Sequence, residues 1–225
     1  MYTVGMFNDI GVSPLVASKM QVHYTLLTEA KINLTAISEP SEIVEKHFLD
    51  SLSALELIND GARVLDVGTG AGFPALPLAS AQPNAEFLLV DATKKKTDFL
   101  DKVIAEGGYT NAQTLCGRAE DLAKTDLRQS FDIVVSRAVK SLNVLLELCV
   151  PFLKTGGILI AYKAINAQKE VEEAKNALKT LNASVEEMKS YTLGGYTRVL
   201  VIVKKMGETD SKYPRSYTSI LKKPL

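Results

Sequence analysis

The sequence predicts an α/β domain of the doubly wound, Rossmann-like kind, with a mostly parallel sheet, an antiparallel closing strand and helices in front. Three observations carry that expectation. Short, nearly all-apolar runs alternate with helical patterns from Gly61 onward. A glycine-rich turn, Gly68-Thr69-Gly70-Ala71-Gly72, joins the first such run to a helix. The last two strand-like runs have Gly194-Gly195 in the turn between them, a hairpin signal.

Up to Asn59 the pattern is helical, with Leu26, Leu27, Ala30 and Leu34 at three- and four-residue spacing. The same spacing recurs in Ile43, Val44, His47, Phe48, Ser51 and Leu52. Pro40 and Ser41 separate the two segments, with Ser41 the expected N-cap. Asn59-Asp60-Gly61 is a turn, after which strand 63–67 and helix 74–81 follow. Strand 87–90, helix 95–106, strand 113–116, helix 119–123 and strand 131–136 come next. A helix over 143–153 is expected to stop before Gly156-Gly157, then strand 158–163, helix 166–181 and strands 185–191 and 199–204. This divides the chain into an N-terminal helical segment 1–60, a ligand-binding domain 61–205 and a basic tail 206–225.

The 225 residues carry 26 basic and 26 acidic side chains, a formal net charge of zero, which argues against a general nucleic-acid coat. Residues 1–60 hold eight acids and three bases. From residue 204 the chain has six bases (Lys204, Lys205, Lys212, Arg215, Lys222 and Lys223) against Glu208 and Asp210. If a polyanion binds, the C-terminal end is a better candidate than the N-terminal segment. No apolar run reaches the roughly 18 residues that span a bilayer, and Met1 to Ile10 lacks a secretory pattern. Cys116 and Cys149 have no metal-like spacing and read as buried structural thiols. A cytoplasmic monomer without metal or membrane partner is expected.

The glycine loop decides the ligand class. Glycines allow a tight bend and let a ligand lie against the backbone. The dinucleotide fingerprint wants its third glycine at position 73, where Phe73 stands; here the third glycine is Gly72. Asp66, two residues before the loop, would repel a pyrophosphate and suits a ligand with a cationic methionine end. Asp91, 21 residues after Gly70, stands where a carboxylate accepts from ribose hydroxyls. Glu120, or an amide at Ala119 or Glu120, is placed to meet an adenine edge. The chemistry favours S-adenosylmethionine over a nicotinamide cofactor, and neither a Tyr-x-x-x-Lys pair nor a His/Asp dyad supports hydride transfer. Arg137, at the end of a central strand, suits the cofactor carboxylate, an RNA phosphate or a core-edge carboxylate. His47 and Asp50 share a helix face. Lys94, Lys95, Lys96 and Lys163, with the tail's Lys212, Arg215, Lys222 and Lys223, form the expected phosphate track.

Several segments resemble one family. They are Asn33-Leu34-Thr35-Ala36-Ile37, His47-Phe48-Leu49-Asp50-Ser51-Leu52, Asp66 through Pro74, Arg118-Ala119-Glu120, Ser136-Arg137-Ala138 and Lys212-Tyr213-Pro214-Arg215. With Asp91, the Lys94 to Leu100 helix start and the closing Lys222-Lys223-Pro224-Leu225, they are similar to the glucose-inhibited division protein B family, the small-subunit ribosomal RNA guanine-N7 methyltransferases (methyltransferase G). The resemblance implies S-adenosylmethionine contacts at Gly68, Phe73, Ala119, Glu120 and Arg137, with Asp91 and Thr93 near the ribose. It implies 16S ribosomal RNA or the small subunit as partner, and a guanine of the decoding-region loop as substrate. Ser216 to Leu221 departs from the family's more basic pattern. A methyltransferase for another RNA, a protein or a small molecule is the alternative reading. The exocyclic-amine signature is missing: Ser136-Arg137-Ala138-Val139 stands where Asn/Asp-Pro-Pro-aromatic would. Guanine N7 already presents a lone pair in the ring plane, so no general base is required and catalysis rests on alignment.

Overall fold

A computed structural model describes residue 7 and residues 11–137 and 140–225. The remainder of the 1–10 stretch, Ala138 of the Ser-Arg-Ala segment and Val139 lie outside the described residues. The strands are β1 (Arg63–Val67), β2 (Glu86–Asp91), β3 (Ala112–Cys116), β4 (Phe131–Arg137), β5 (Leu153–Ala164), β6 (Ala183–Leu193) and β7 (Tyr196–Lys205). They form one sheet in the order β3-β2-β1-β4-β5-β7-β6. β1 runs parallel to β2 and β4, β2 to β3 and β4 to β5, whereas β7 is antiparallel to both β5 and β6. The chain winds outward from β1 to β3, then returns to the other side of β1 as β4. That reversal opens a crevice at the carboxyl ends of β1 and β4, where such sheets bind ligands.

The helices are α1 (Pro14–Glu29), α2 (Pro40–Ile43), α3 (Asp50–Leu52), α4 (Ala75–Ala81), α5 (Lys94–Glu106) and α6 (Ala119–Leu122). After these come α7 (Leu142–Cys149), α8 (Ala167–Glu173), α9 (Lys175–Thr180) and α10 (Tyr217–Lys222). A π-helical turn, Val44–Leu49, joins α2 to α3. Alternation along β1 sends Leu65 and Val67 to one face and Val64 to the other. The first face packs on α7 and α9 through Leu145, Leu146 and Leu178. The second packs on α1, α4 and α5 through Leu26, Leu76, Leu100 and Val103. A third cluster joins Met20, Tyr24, Ile43 and Phe48 of the N-terminal helices to Ala71 and Phe73 of the glycine loop.

Local chemistry moves several expected boundaries. Ser13 caps α1 and Pro14 opens it, so the helix begins before Leu26 and ends at Glu29, leaving Leu34 outside. Glu39, not Ser41, holds the N-cap position of α2, because Pro40 takes the first helical turn. Pro74 stands just before α4, after a cis bond to Phe73. The helix expected over 143–153 ends at Cys149, since Pro151 has no N–H to donate; Leu153 already belongs to β5. A register shift between Phe131 and Ile133 absorbs the Gly156-Gly157 turn within β5. The helix over 166–181 divides at Ala174 into α8 and α9. Cys149 is buried and its thiol is pushed up by burial, but Cys116 is exposed, which corrects the expectation of two buried thiols.

The C-terminal segment is bound rather than loose. Arg128 donates to the carbonyls of Thr209 (2.7 Å), Tyr213 (2.8 Å) and Asp210 (3.2 Å). Glu147, fully buried in α7, accepts from the Arg215 amide at 2.9 Å and from its Nε and Nη2 at 2.8 and 2.6 Å. Truncating Arg215 would strand a buried carboxylate. Arg215→Ala is expected to lower stability by roughly 3 kcal/mol in urea unfolding; a loss below about 0.5 kcal/mol, the scale of an ordinary surface substitution, would show that Glu147 is satisfied without it.

Candidate active site

The site is built at the carboxyl ends of β1, β2 and β4. The amides of Gly68 and Thr69 donate to Val90 O at 2.9 and 3.0 Å, tying the start of the loop to β2. The Gly72 amide donates to Thr69 O at 2.9 Å and closes the turn. Gly72 has φ +94°, and a Cβ there would lie 2.8 Å from both Leu76 and Leu100. Gly70, at φ +60°, faces open space: the nearest atom to an added Cβ is Gly68 O, 4.0 Å away. One glycine is required by packing, the other leaves a cradle.

Asp91 sits across this cradle. Its Oδ2 accepts from the Gly70 amide at 3.1 Å and from Lys96 Nζ at 3.4 Å, and its Oδ1 accepts from the Thr93 amide at 2.9 Å. The carboxylate that was expected at the ribose therefore also holds the loop. Beneath the loop, Asp66 is 1% exposed, and neither carboxylate oxygen has a hydrogen-bond partner among the described residues; the same holds for the Thr69 hydroxyl. Burial raises the Asp66 carboxyl to about 7, and the neighbouring Thr69 hydroxyl and Ala75 amide oppose that rise without reaching hydrogen-bonding geometry. A buried acid left unpaired is a place for a donor or a cation to arrive. Glu120 is buried at the start of α6, 3.9 Å from Arg118, on the β3 side of the crevice with Ala119. The open glycine, the orphaned acid and the second acid on β2 suit an adenosine ligand with a cationic amino-acid end.

The opposite wall comes from the N-terminal helices. The Phe73 ring is sandwiched between His23 of α1 (centroids 4.6 Å apart) and His47 of the π-helical turn (4.9 Å), with the Arg137 guanidinium 5.2 Å from it. His23 Nε2 donates to Ala71 O at 2.7 Å. Arg137 donates to Asp50 Oδ2 (2.9 Å) and to the Lys46 and His47 carbonyls (2.9 and 3.3 Å), and its Nη2 donates to His47 Nδ1 at 3.2 Å. His47 Nε2 then carries the proton and donates to Thr35 Oγ1 at 2.7 Å. Burial, reinforced at His47 by Arg137, lowers both imidazoles to about 4. Both are neutral near pH 7 and His47 has both nitrogens engaged, so it is not a poised base.

Sequence reasoning placed Asp66, Gly68, Gly70, Gly72, Phe73, Asp91 and Thr93 around one loop, and the structure brings them together. Arg137 meets Asp50, the core-edge alternative. His23 and Thr69 were missed, although His23 falls in helical spacing with Met20, Tyr24 and Leu27. The expected phosphate track divides. Lys94 and Lys95 are exposed at the start of α5, Lys94 paired with Asp98, and Lys96 turns to Asp91. Lys222 and Lys223 are exposed, and Lys212 pairs with Asp210 at 2.9 Å. Lys163 is only 8% exposed, 2.8 Å from Glu170, and Arg215 is held by Glu147. Buried or half-buried carboxylates, Glu170 seven residues on and Glu147 68 residues back, claim these last two, which removes them from the free track.

Solved structures share this architecture. TYW2 of M. jannaschii, in complex with AdoMet, superposes with a TM-score of 0.59 at 15% identity, covering 76% of this chain and 79% of that one. A SAM-dependent methyltransferase from Aquifex aeolicus gives 0.55 at 18% identity, covering 74% and 94%. The fold is thus that of the Rossmann-like methyltransferases. A family model described as rRNA small subunit methyltransferase G (GidB) matches residues 17–200. The ribosomal RNA small subunit methyltransferase G of Desulfitobacterium hafniense (strain Y51) is 48% identical over 198 residues, which span 87% of this chain and 82% of that protein. Its counterpart in Lachnoclostridium phytofermentans is 44% identical over 214 residues, spanning 92% and 88%. The chain belongs to the rRNA small subunit methyltransferase G family.

The Asp66 environment has a pH signature. Its native carboxyl lies near 7 against 3.8 as a free side chain, so between those values the folded state holds a proton the unfolded chain has lost. Its contribution to stability therefore falls as pH rises from about 4 to about 7 and is level above. Asp66→Asn is expected to gain on the unliganded wild type by on the order of 2 kcal/mol between pH 5 and pH 8 in urea unfolding. A difference between the two proteins that does not change with pH would contradict this picture of Asp66.

Proposed function

We propose that this protein transfers a methyl group from S-adenosylmethionine to N7 of one guanine in the decoding-region loop of 16S ribosomal RNA, in the cytoplasm. The observation that carries the reading is the buried, unpartnered Asp66 under an open glycine cradle, with Asp91 facing it from β2. Asp66 suits the cationic methionine end, the Gly68–Gly72 backbone its close approach, Asp91 and Thr93 the ribose, and Ala119 and Glu120 the adenine edge. Phe73 and Arg137 close the wall beside the loop. When bound, the cofactor supplies an electrophilic methyl on a sulfonium.

The protein's own part is alignment and electrostatics. A purine N7 has its lone pair in the ring plane and needs no deprotonation, which accords with two histidines that are buried and neutral. As positive charge passes to the purine, the wall must accept it; Asp50 lies within this wall, already bound to Arg137 and to Tyr191 Oη at 2.7 Å. The exposed Lys95, Lys222 and Lys223 remain for phosphate contact, with Lys94, Lys96 and Lys212 more constrained by their carboxylate partners.

The reading is tested by incubating the protein with methyl-labelled S-adenosylmethionine and small ribosomal subunits that lack native N7 methylation. Borohydride and aniline then cut the RNA at N7-methylguanine. Cleavage at a single guanine is expected, and Asp91→Ala should weaken cofactor binding roughly 10- to 100-fold, because a charged acceptor is removed from two amides and the ribose. Tight cofactor binding with no labelled RNA would redirect the search to proteins and small molecules.

A further inference from the structure

Beside the glycine loop a cavity of about 510 Å³ opens where the carboxyl ends of β4 and β5 meet the start of β7 and the π-helical turn. Its wall carries five cations, Lys46, Arg137, Lys140, Lys163 and Arg198, against two carboxylates, Asp50 and Glu170. His47, also in the wall, is neutral near pH 7. Glu42 reaches Lys46 at 2.7 Å from outside the wall and Glu45 acts on it too, which still leaves a surplus of one positive charge. In a chain of zero formal net charge, that surplus is a local attraction for phosphate. The cavity adjoins the cofactor loop, since His47 and Arg137 both touch the Phe73 ring from its wall.

The rim is apolar. Ile165, between the lining residues Ala164 and Asn166, is 75% exposed, and Tyr196 is 56% exposed with Lys46 Nζ 5.1 Å from its ring centroid. Two of the five large hydrophobic side chains exposed among the described residues thus flank one cationic cavity. Single-stranded RNA is held by this combination: cations along the backbone and a ring on which an unstacked base lies. In duplex DNA, apolar side chains enter between neighbouring base steps and unstack them, and an exposed Ile165 can do the same to an RNA strand. Arg198 lies 4.0 Å from Asp50, at the edge of ion-pair range, and Lys140 is exposed, so both are placed to meet phosphate.

We propose that this cavity is the acceptor pocket: it receives the target guanine nucleotide extruded from a single-stranded RNA loop. Tyr196 stacks a neighbouring base, Ile165 wedges beside it, and Lys140 and Arg198 hold flanking phosphates. The assignment rests on the RNA methyltransferase reading above and names where its substrate enters. Tyr196, Ile165 and Lys140 are exposed, so their replacement should leave the fold intact.

The test is binding of a fluorescein-labelled single-stranded RNA of about ten nucleotides with a central guanine, run beside methylation of small ribosomal subunits. Tyr196→Ala should weaken RNA binding about tenfold, Tyr196→Phe should keep it, and S-adenosylmethionine affinity should be unchanged in both. Lys140→Ala should weaken binding and reduce its salt slope by about one. RNA affinity unchanged by both Tyr196→Ala and Lys140→Ala would overturn the pocket, whether or not the wild type methylates ribosomal RNA. Affinity lost in Tyr196→Ala while the wild type labels no RNA would support the pocket and overturn the N7 reaction instead.

Discussion

The ion pair between Arg137 and Asp50 holds the two halves of the site together. Arg137 is the last residue of β4, and Asp50 opens α3, 87 residues earlier, on the N-terminal helices. The same guanidinium takes up two carbonyls of the π-helical turn, where a regular helical ladder is broken. Tyr191 binds the other Asp50 oxygen, and Tyr162 donates to Ser51 O, so β5 and β6 join the clamp. With 5% and 13% of their side chains exposed, both partners are largely desolvated, and removing either would leave the other charge stranded. The pair thereby sets His47 against Phe73, and Phe73 sets the glycine loop.

This arrangement separates two tasks that share one crevice. On the β1–β2 side, burial and an unpaired acid prepare for a cation, and the backbone of the loop is the binding surface. On the β5–β7 side, cations outnumber carboxylates and the rim is aromatic and aliphatic. Arg137 lies between them, already committed to Asp50. Both imidazoles of the wall are neutral and His47 has both nitrogens engaged, and a nucleophile that brings its own lone pair asks for no base.

Much of the fold was legible because it is local. Apolar runs bounded by glycine and charge located every strand, and β1 was read without error because Asp60-Gly61 and Gly68 punctuate both its ends. Gly194-Gly195 likewise fixed the closing hairpin, both residues having positive φ. What stayed hidden depends on distant partners. Nothing near Val44–Leu49 announces a π-helical turn, two of whose carbonyls also accept from Arg137 of β4. Nothing near Arg215 reveals that Glu147, 68 residues earlier, will claim it, and Lys163 is turned inward to Glu170 across the β5–α8 connection, so charge alone overstated the RNA track. The glycine loop was legible as a binding element, whereas the role of His23 in bracing it required knowing that α1 folds back onto Ala71.

The order of β5, β7 and β6 has a consequence for synthesis. β7 is the last strand of this sheet in chain order, yet it lies inside the sheet, between two strands that precede it. Until it emerges, β5 has an open edge and β6 has no neighbour. Glu147 waits longer still, for an arginine 68 residues further on. A nascent chain halted before Arg215 would thus carry a bare acid in the middle of its apolar core. The sheet and its core are thus completed only once β7 and the segment around Arg215 have joined them, late in the order of synthesis of these residues.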